Sequence, residues 1–461
     1  MSAIRTALRE YGFSKYALKE AAVGSASLRR LFDAFACARA RIYRVAGRTY
    51  EQAHVVCQAV RLMEDHARSR DLNNFHAEVV RNAGIGTSAN AIRDSYLQSP
   101  RSQADALEYL RHGADFAARM KFPRSPDDVR RQGNLVVLKM HDAARGEKGV
   151  LYLQYSESIR AFVALFDIER IAKNYRLVVE PSTWGYQDES FLLLVHDSFD
   201  VLVQSQDPVD YRYIEGLRSN LVPLPFGAGD WIDAESFAPS DEPKTFDFVM
   251  VASWSPVKRH ALFFDALAAA GLRNARIALV GYPWEGRTRQ DIEKLAARAG
   301  LTNVSIFERI PRAEVAAVIR RSRVGVMLTR REGANRGIYE CLFCDVPIVV
   351  SASNRGVNKS LINERTGRLA SDEELPTALR GMLENTGDFR PRQWMELHTG
   401  YRNTGRALDV AIATLARSRG ESHSTPIAGI RSSPAAAYVD EGERTAIDAE
   451  YAKLRLLLRL R

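Results

Sequence analysis

The chain has 461 residues, of which 46% are hydrophobic and 26% charged, with a formal net charge of +9. That length exceeds one comfortable hydrophobic core, so two domains plus extensions are expected in an ordinary globular protein. No apolar run approaches the roughly 20 residues that span a bilayer, and the start has no apolar signal core. A cytoplasmic enzyme is therefore expected.

In chain order, residues 1–130 read as almost wholly helical, as in Tyr50–Ala67 and Gln103–Ala118, and carry no catalytic pattern. A smaller α/β region follows over 131–242. Its strands are expected at Leu135–Met140, Val150–Gln154, Leu177–Glu180, Val201–Gln204 and Leu221–Leu224, and Pro239 to Pro243 reads as a hinge. From 243 to 419 strand and helix alternate with little ambiguity. Phe246–Ala252 is a strand, and helix Arg259–Ala270 follows, stopped by Gly271. Strand Arg276–Val280 leads to helix Arg289–Ala299, capped by Thr288 with Asp291 three residues on. Strand Val304–Phe307, helix Arg312–Arg321 with Pro311 at its first position, strand Val324–Leu328 and strand Pro347–Val350 complete the series. Short apolar strands separated by helices mean a doubly wound parallel sheet, whose ligands sit beyond the carboxyl ends of the strands. Gly420 to Gly442 is rich in Ser, Pro and Ala and reads as a mobile linker. Ala446–Arg461 reads as an amphipathic helix with Leu454, Leu457 and Leu458 on one face, packed on the body or a partner or touching a membrane.

The most informative stretch is Arg331 to Ser351. Two carboxylates, Glu332 and Glu340, flank seven residues; the first lies in a Gly-containing loop and the second inside the helix that follows. Carboxylates suit sugar hydroxyls, and a helix N-terminus suits phosphates. On spacing alone such a pair arises by chance, and its context is what makes it useful.

Cys341 and Cys344 form a C-x-x-C without a second pair or a nearby His, so core packing is expected rather than metal binding. The four cysteines show no disulfide framework, which fits a reducing compartment. The basic balance admits nucleotide diphosphates, an anionic membrane surface or nucleic acid. No Lys/Arg stripe interleaved with aromatics favours the last of these, and none is expected as a partner. His141-Asp142 and His196-Asp197 lack further ligands at a usable spacing and read as ordinary histidines.

With these motifs in place, the chain resembles the retaining glycosyltransferases of the GT-B fold, in the group (family four) with two Glu residues eight positions apart. Several segments carry the resemblance in order. D-V-L-V-Q-S, Asp200 to Ser205, resembles the strand closing the first domain. V-P-L-P-F-G-A-G-D, Val222 to Asp230, resembles the interdomain signature. V-A-S-W-S-P-V-K-R-H, Val251 to His260, resembles the loop with a donor-phosphate lysine, and V-G-Y-P and T-G-R-L, from Val280 and Thr366, match later positions. The resemblance covers about Asn134 to Arg417 and is strongest in its second half. It implies an α/β fold of two Rossmann-like doubly wound domains facing a cleft, to which the sequence pattern adds a helical N-terminal extension and a C-terminal tail helix. It also implies a retaining transfer from a nucleotide-diphosphate sugar to a glycan or lipid-linked acceptor, as in bacterial surface polysaccharide synthesis, with possible peripheral membrane contact.

Carried over residue by residue, Lys258 meets the donor phosphates, Glu332 the sugar near its anomeric centre and Glu340 the ribose diol. Gly333, Asn335, Arg336 and Gly337 form the phosphate-side loop and helix start, and the base lies near Tyr282 or Arg309-Ile310. No Asp-x-Asp motif is present, which fits a metal-free site without a further cofactor. Ser253 stands where the family usually has an Arg, and Arg336 is a candidate to supply that cation. On the acceptor side, Gly146–Gly149 and Glu180–Gly185 with Trp184 are candidates in first-domain loops facing the cleft. Rival readings are an epimerase or hydrolase on the same fold, an inactive scaffold, and a nucleic-acid-binding protein.

Overall fold

The computed structural model describes residues 25–63, 77–78, 86–113, 134–181, 188–333, 335–432 and 436–459. The expected helical residues 64–67 and 114–118, and Trp184, lie outside them. The described residues form two compact units, one of Arg29–Trp231 with 401–459 and one of Ile232–Gly400, with which residues 25–28 are grouped.

In the first unit, α1 (Ala26–Val45), α2 (Thr49–Met63), α3 (Gly86–Leu97) and α4 (Pro100–Gly113) precede β1 (Asn134–Lys139) and β2 (Gly149–Gln154). Then come α5 (Ser156–Leu165), α6 (Ile168–Asn174), β3 (Tyr175–Glu180), α7 (Glu189–Leu192), β4 (Val201–Gln204), α8 (Pro208–Gly216) and β5 (Leu221–Leu224). The five strands lie in the order β1-β2-β3-β4-β5. Only β1 runs antiparallel to its neighbour; β2 to β5 are mutually parallel. Every residue of β2 and β3 is buried, which is why both are apolar over most of their length. This sheet is wound in a single sequential direction, without the strand-order reversal of a doubly wound sheet.

The second unit follows the expected alternation. Its elements are β6 (Phe246–Val251), α9 (His260–Ala269), β7 (Ile277–Gly281), α10 (Arg289–Arg298), β8 (Val304–Glu308), α11 (Arg312–Arg320) and β9 (Ser322–Met327). They continue with α12 (Arg336–Phe343), β10 (Ile348–Ser351), β11 (Gly367–Ala370), α13 (Leu375–Glu384) and α14 (Pro391–His398). Thr288 and Asp291 make the expected capping box at α10. Pro311 is the N-cap of α11 rather than its first helical residue. The sheet has a sixth strand, β11, which is only four residues long with two of them exposed. All six strands are parallel, in the order β11-β10-β9-β6-β7-β8. Strand order therefore reverses between β6 and β9, and a doubly wound sheet opens a ligand crevice beyond the carboxyl ends at such a point.

Two expected boundaries need correction. The domain expected over 243–419 ends at Gly400, and α15 (Tyr401–Ser418) belongs to the first unit. Residues 420–442, expected as a mobile linker, include β12 (Ile430–Ser432) and β13 (Ala436–Tyr438), paired antiparallel, with Ile430, Ala436 and Tyr438 in the first unit's core. Helix α16 (Glu441–Arg455) then packs Ile447, Tyr451 and Leu454 into that same core. The cause is the unpaired edge of β1. The Val137 N–H donates to Tyr451 Oη at 3.0 Å, Tyr438 Oη donates to the Val137 carbonyl at 2.7 Å, and the Ala428 N–H donates to the Leu138 carbonyl at 2.7 Å. A buried strand edge has to satisfy its backbone groups, and the tail does this for β1.

Candidate functional site

The loop leaving β6 carries Lys258 to the carboxyl end of its sheet. Ser255 caps the short turn Pro256–Lys258 by accepting from the Val257 N–H, and Arg259 takes a left-handed conformation at φ 60°. That backbone is unfavourable for a residue with a Cβ, and the Arg259 side chain explains how it is held. Its guanidinium is buried, donates to both carboxylate oxygens of Asp372 at 2.9 and 2.5 Å, and reaches the Leu328 carbonyl at 3.3 Å. Arg330 donates to the same carboxylate at 2.9 Å. Burial would raise the Asp372 carboxyl, but the two guanidinium groups outweigh it and hold it below its ordinary range.

The loop leaving β9 carries Glu332, and Lys258 Nζ donates to Glu332 Oε2. Asn335 Nδ2 also reaches that oxygen, at 3.4 Å. The Glu332 loop is pinned from behind, since its N–H donates to the Arg355 carbonyl at 2.9 Å. Gly356, at φ 87°, passes so close that an added Cβ would lie 1.6 Å from the Glu332 carbonyl oxygen. Asn335 is the N-cap of α12 without a side-chain capping bond, so the first amides of this helix are not capped by its own side chain. Gly333 and Gly337 are buried, and Arg336, the first helical residue, is half-buried.

Glu340 lies about one turn along α12 and is only 6% exposed. Arg312, at the start of α11, comes within 3.3 Å of its Oε1 and stacks over the Phe237 ring at 4.6 Å. Burial lowers the Arg312 guanidinium below its ordinary value, and the Glu340 charge opposes that effect. Tyr282 and Ile310 follow β7 and β8 at the same end of the sheet. Both are half-buried, and Arg309 lies 6.0 Å from the centre of the Tyr282 ring. The Trp254 N–H donates to the Tyr282 carbonyl at 2.8 Å, tying the β7 loop to the one carrying Lys258 and the buried Ser253.

The expected residues therefore fall on adjacent loops at one sheet edge. Lys258, Glu332 and Asn335 are in direct contact there, on either side of the strand-order reversal. Glu340 joins the β8 side through Arg312. Arg259, Arg312 and Arg330 were not singled out from sequence, and each takes its place through a partner distant in the chain. His260 was also missed. It is fully buried beside Trp254, at 5.7 Å between ring centres, and neither ring nitrogen nor Trp254 Nε1 has a hydrogen-bond partner among the described residues. Burial, with Arg287 and Lys258 nearby, pushes its pKa down to about 3, so it stays neutral beside the lysine.

On the acceptor side, Gly146–Gly149 does not sit where it was expected. Because β1 is antiparallel to β2, this turn leads into the amino end of β2, opposite the carboxyl ends where such sheets bind ligands. There Glu147 pairs with Lys139 at 2.7 Å. Glu180 ends β3 at the carboxyl edge and is fully buried. Cys341 and Cys344 are both core residues, with thiols raised by burial.

Residues 232–391, roughly a third of the chain, match the family model of glycosyl transferases group 1. No curated protein matches the chain. Among solved structures, sucrose-phosphate synthase from Thermosynechococcus elongatus is 19% identical, with a TM-score of 0.45 over 59% of this chain and 73% of that one. HepE of Anabaena in complex with UDP is 14% identical, with a TM-score of 0.47 over 57% and 78%. S. aureus TarM, in complex with fondaparinux, alpha-GlcNAc-glycerol and UDP, is 12% identical, with a TM-score of 0.41 over 53% of this chain. The chain spans about half of TarM, 51% of its length.

Proposed function

We propose that the protein transfers a glycosyl group, with retention, from a nucleotide-diphosphate sugar to a glycan or lipid-linked acceptor. The setting we favour is cytoplasmic synthesis of a bacterial surface polysaccharide. The observation that carries this reading is the contact of Lys258 with Glu332 at the strand-order reversal, inside the segment that matches the group 1 glycosyltransferase model. In the absence of donor the charges neutralise one another, Lys258 with Glu332 and Arg312 with Glu340. When donor binds, a pyrophosphate draws Lys258, freeing Glu332 for sugar hydroxyls, while Glu340 offers two acceptors to the ribose diol. Gly333, Asn335, Arg336 and Gly337 present the opening amides of α12 to the phosphates, and Tyr282 and Ile310 flank the base.

As the anomeric carbon–oxygen bond to the diphosphate breaks, negative charge grows on the phosphate and positive charge on the sugar ring. Lys258 and the helix start are preorganised for the first and Glu332 for the second. The donor serves as a substrate, and no metal or further cofactor enters the proposal. Ser253 favours one second reading, a scaffold that has lost catalysis.

Thermal-shift and turnover assays with UDP-, GDP- and ADP-sugars test both. We expect one donor class to stabilise the protein and to give product only with acceptor present, with its anomeric configuration kept by NMR. Donor consumed without acceptor would mean an epimerase or hydrolase instead. Absence of binding by every donor would favour the scaffold.

A further inference from the structure

Helix α1 has two apolar faces, and only one is used. Ala36, Cys37 and Ala40 are buried in the first unit's core, with Phe32 and Tyr43 packed beside them. On the opposite side Leu31, Phe35, Ile42 and Val45 are 68%, 60%, 64% and 90% exposed. At about 100° per residue these four fall within roughly 80° of arc, with Arg39 and Arg41 on its two flanks. Arg44 lies on the far side, paired with Glu78 at 2.9 Å, and the helix's one acidic residue, Asp33, is also turned away from the stripe. A contiguous apolar stripe of this size on a helix surface marks an interaction site rather than scattered exposed side chains.

We propose that this face of α1 docks on an anionic lipid surface, lying in the interface with Leu31, Phe35, Ile42 and Val45 among the acyl chains and the flanking arginines at the phosphate level. The charge pattern argues for lipid over a second copy of the chain. Two copies of α1 meeting face to face would bring Arg39 and Arg41 of each against one another with no carboxylate of the helix bordering the stripe, whereas anionic headgroups neutralise them. Arginine snorkels well in this arrangement, with its stem along the apolar stripe and its head in water. Arg39 already lies along its neighbours in this way, 5.7 Å from the Phe35 ring and 5.8 Å from that of Tyr43. Among the described residues no helix is long and apolar enough to cross a membrane, so the contact is peripheral. The tail helix, the sequence-based candidate for such contact, is unsuited because Ile447, Tyr451 and Leu454 are committed to the core. The proposal is independent of the chemistry assigned to the Lys258 site.

The test is co-sedimentation of the full chain with vesicles of pure phosphatidylcholine or of phosphatidylcholine with phosphatidylglycerol, at low and high salt. We expect binding to the anionic vesicles only, weakened by salt. The paired change Phe35→Glu with Ile42→Glu should weaken it at least about tenfold, and Arg39→Gln with Arg41→Gln by several-fold. All four side chains are exposed, so the variants should keep the parent melting temperature. The proposal is overturned by absent binding to the anionic vesicles. It is equally overturned if both variants bind as well as the parent. A smaller species on sizing for Phe35→Glu with Ile42→Glu would assign the face to a second copy.

Discussion

Lys258 and Glu332 hold each other in place, and the roles proposed for them set how each should fail when altered. Lys258→Ala removes the cation proposed to meet the leaving phosphate, and kcat should fall about 100- to 1,000-fold, the cost of losing one preorganised electrostatic partner. Glu340→Gln should act differently, because a ribose contact serves ground state and transition state alike. Its expected signature is a donor KM raised roughly tenfold with kcat nearly unchanged. Steady-state kinetics on both variants checks the pair, and a kcat collapse in Glu340→Gln would place that residue nearer the reacting bond than proposed. His260 offers a prediction that needs no substrate. Its folded pKa is depressed from 6.5 to about 3 by burial first and nearby cations second. As pH falls through that window the unfolded chain takes up a proton that the folded chain refuses, so stability is lost. Melting temperatures from pH 7 to pH 4 should therefore fall less steeply for His260→Leu than for the parent. An unchanged slope would show that the ring is not buried neutral.

At the scale of elements, the reversal of strand order between β6 and β9 explains why the proposed donor side is well marked and the proposed acceptor side is not. Loops leaving β6 and β9 diverge to opposite faces, and the crevice between them concentrates functional residues on two neighbouring turns. The first sheet, β1 to β5 in sequence, has no such point, so no pair of its loops stands out in the chain. The Glu332 loop also depends on an element that carries no chemistry. Gly356→Ala would place a Cβ on the Glu332 carbonyl at a backbone angle that L-residues rarely adopt. We expect a stability loss of roughly 1–3 kcal/mol together with reduced turnover. Chemical denaturation and kinetics on one preparation would show whether both move. Most helix and strand positions in the second unit were legible beforehand, because buried parallel strands are continuous apolar runs and capped helices announce their starts. Strand β11 escaped notice because two of its four residues face solvent and the run is short.

Across the whole molecule, the polypeptide leaves the first unit near Trp231 and returns to it at Tyr401. Its last helix covers the edge of β1, more than 300 residues earlier in the chain, with Tyr451 and Val137 separated by 314 positions. Leu454 is fully buried there, so Leu454→Ala should cost roughly 2–5 kcal/mol and Tyr451→Phe about 1 kcal/mol. Neutral results from both in a denaturant titration would return the tail to the status of a linker and helix outside the core.

Local pattern was enough to establish the alternation of strands and helices, the two-sheet α/β class, and the placement of Lys258 and Glu332 in loops between strand and helix with Glu340 inside the helix that follows. Each depends on residues a few positions apart, where periodicity and capping act. Tertiary structure alone decided that Arg259 is locked by Asp372, that Arg312 faces Glu340, that His260 is buried without a partner, and that the tail completes the first core. Those outcomes are set by partners far off in sequence, such as Arg259 and Asp372 at 113 positions apart. Packing chooses between such partners through burial and charge compensation, and no short stretch of the chain encodes that choice.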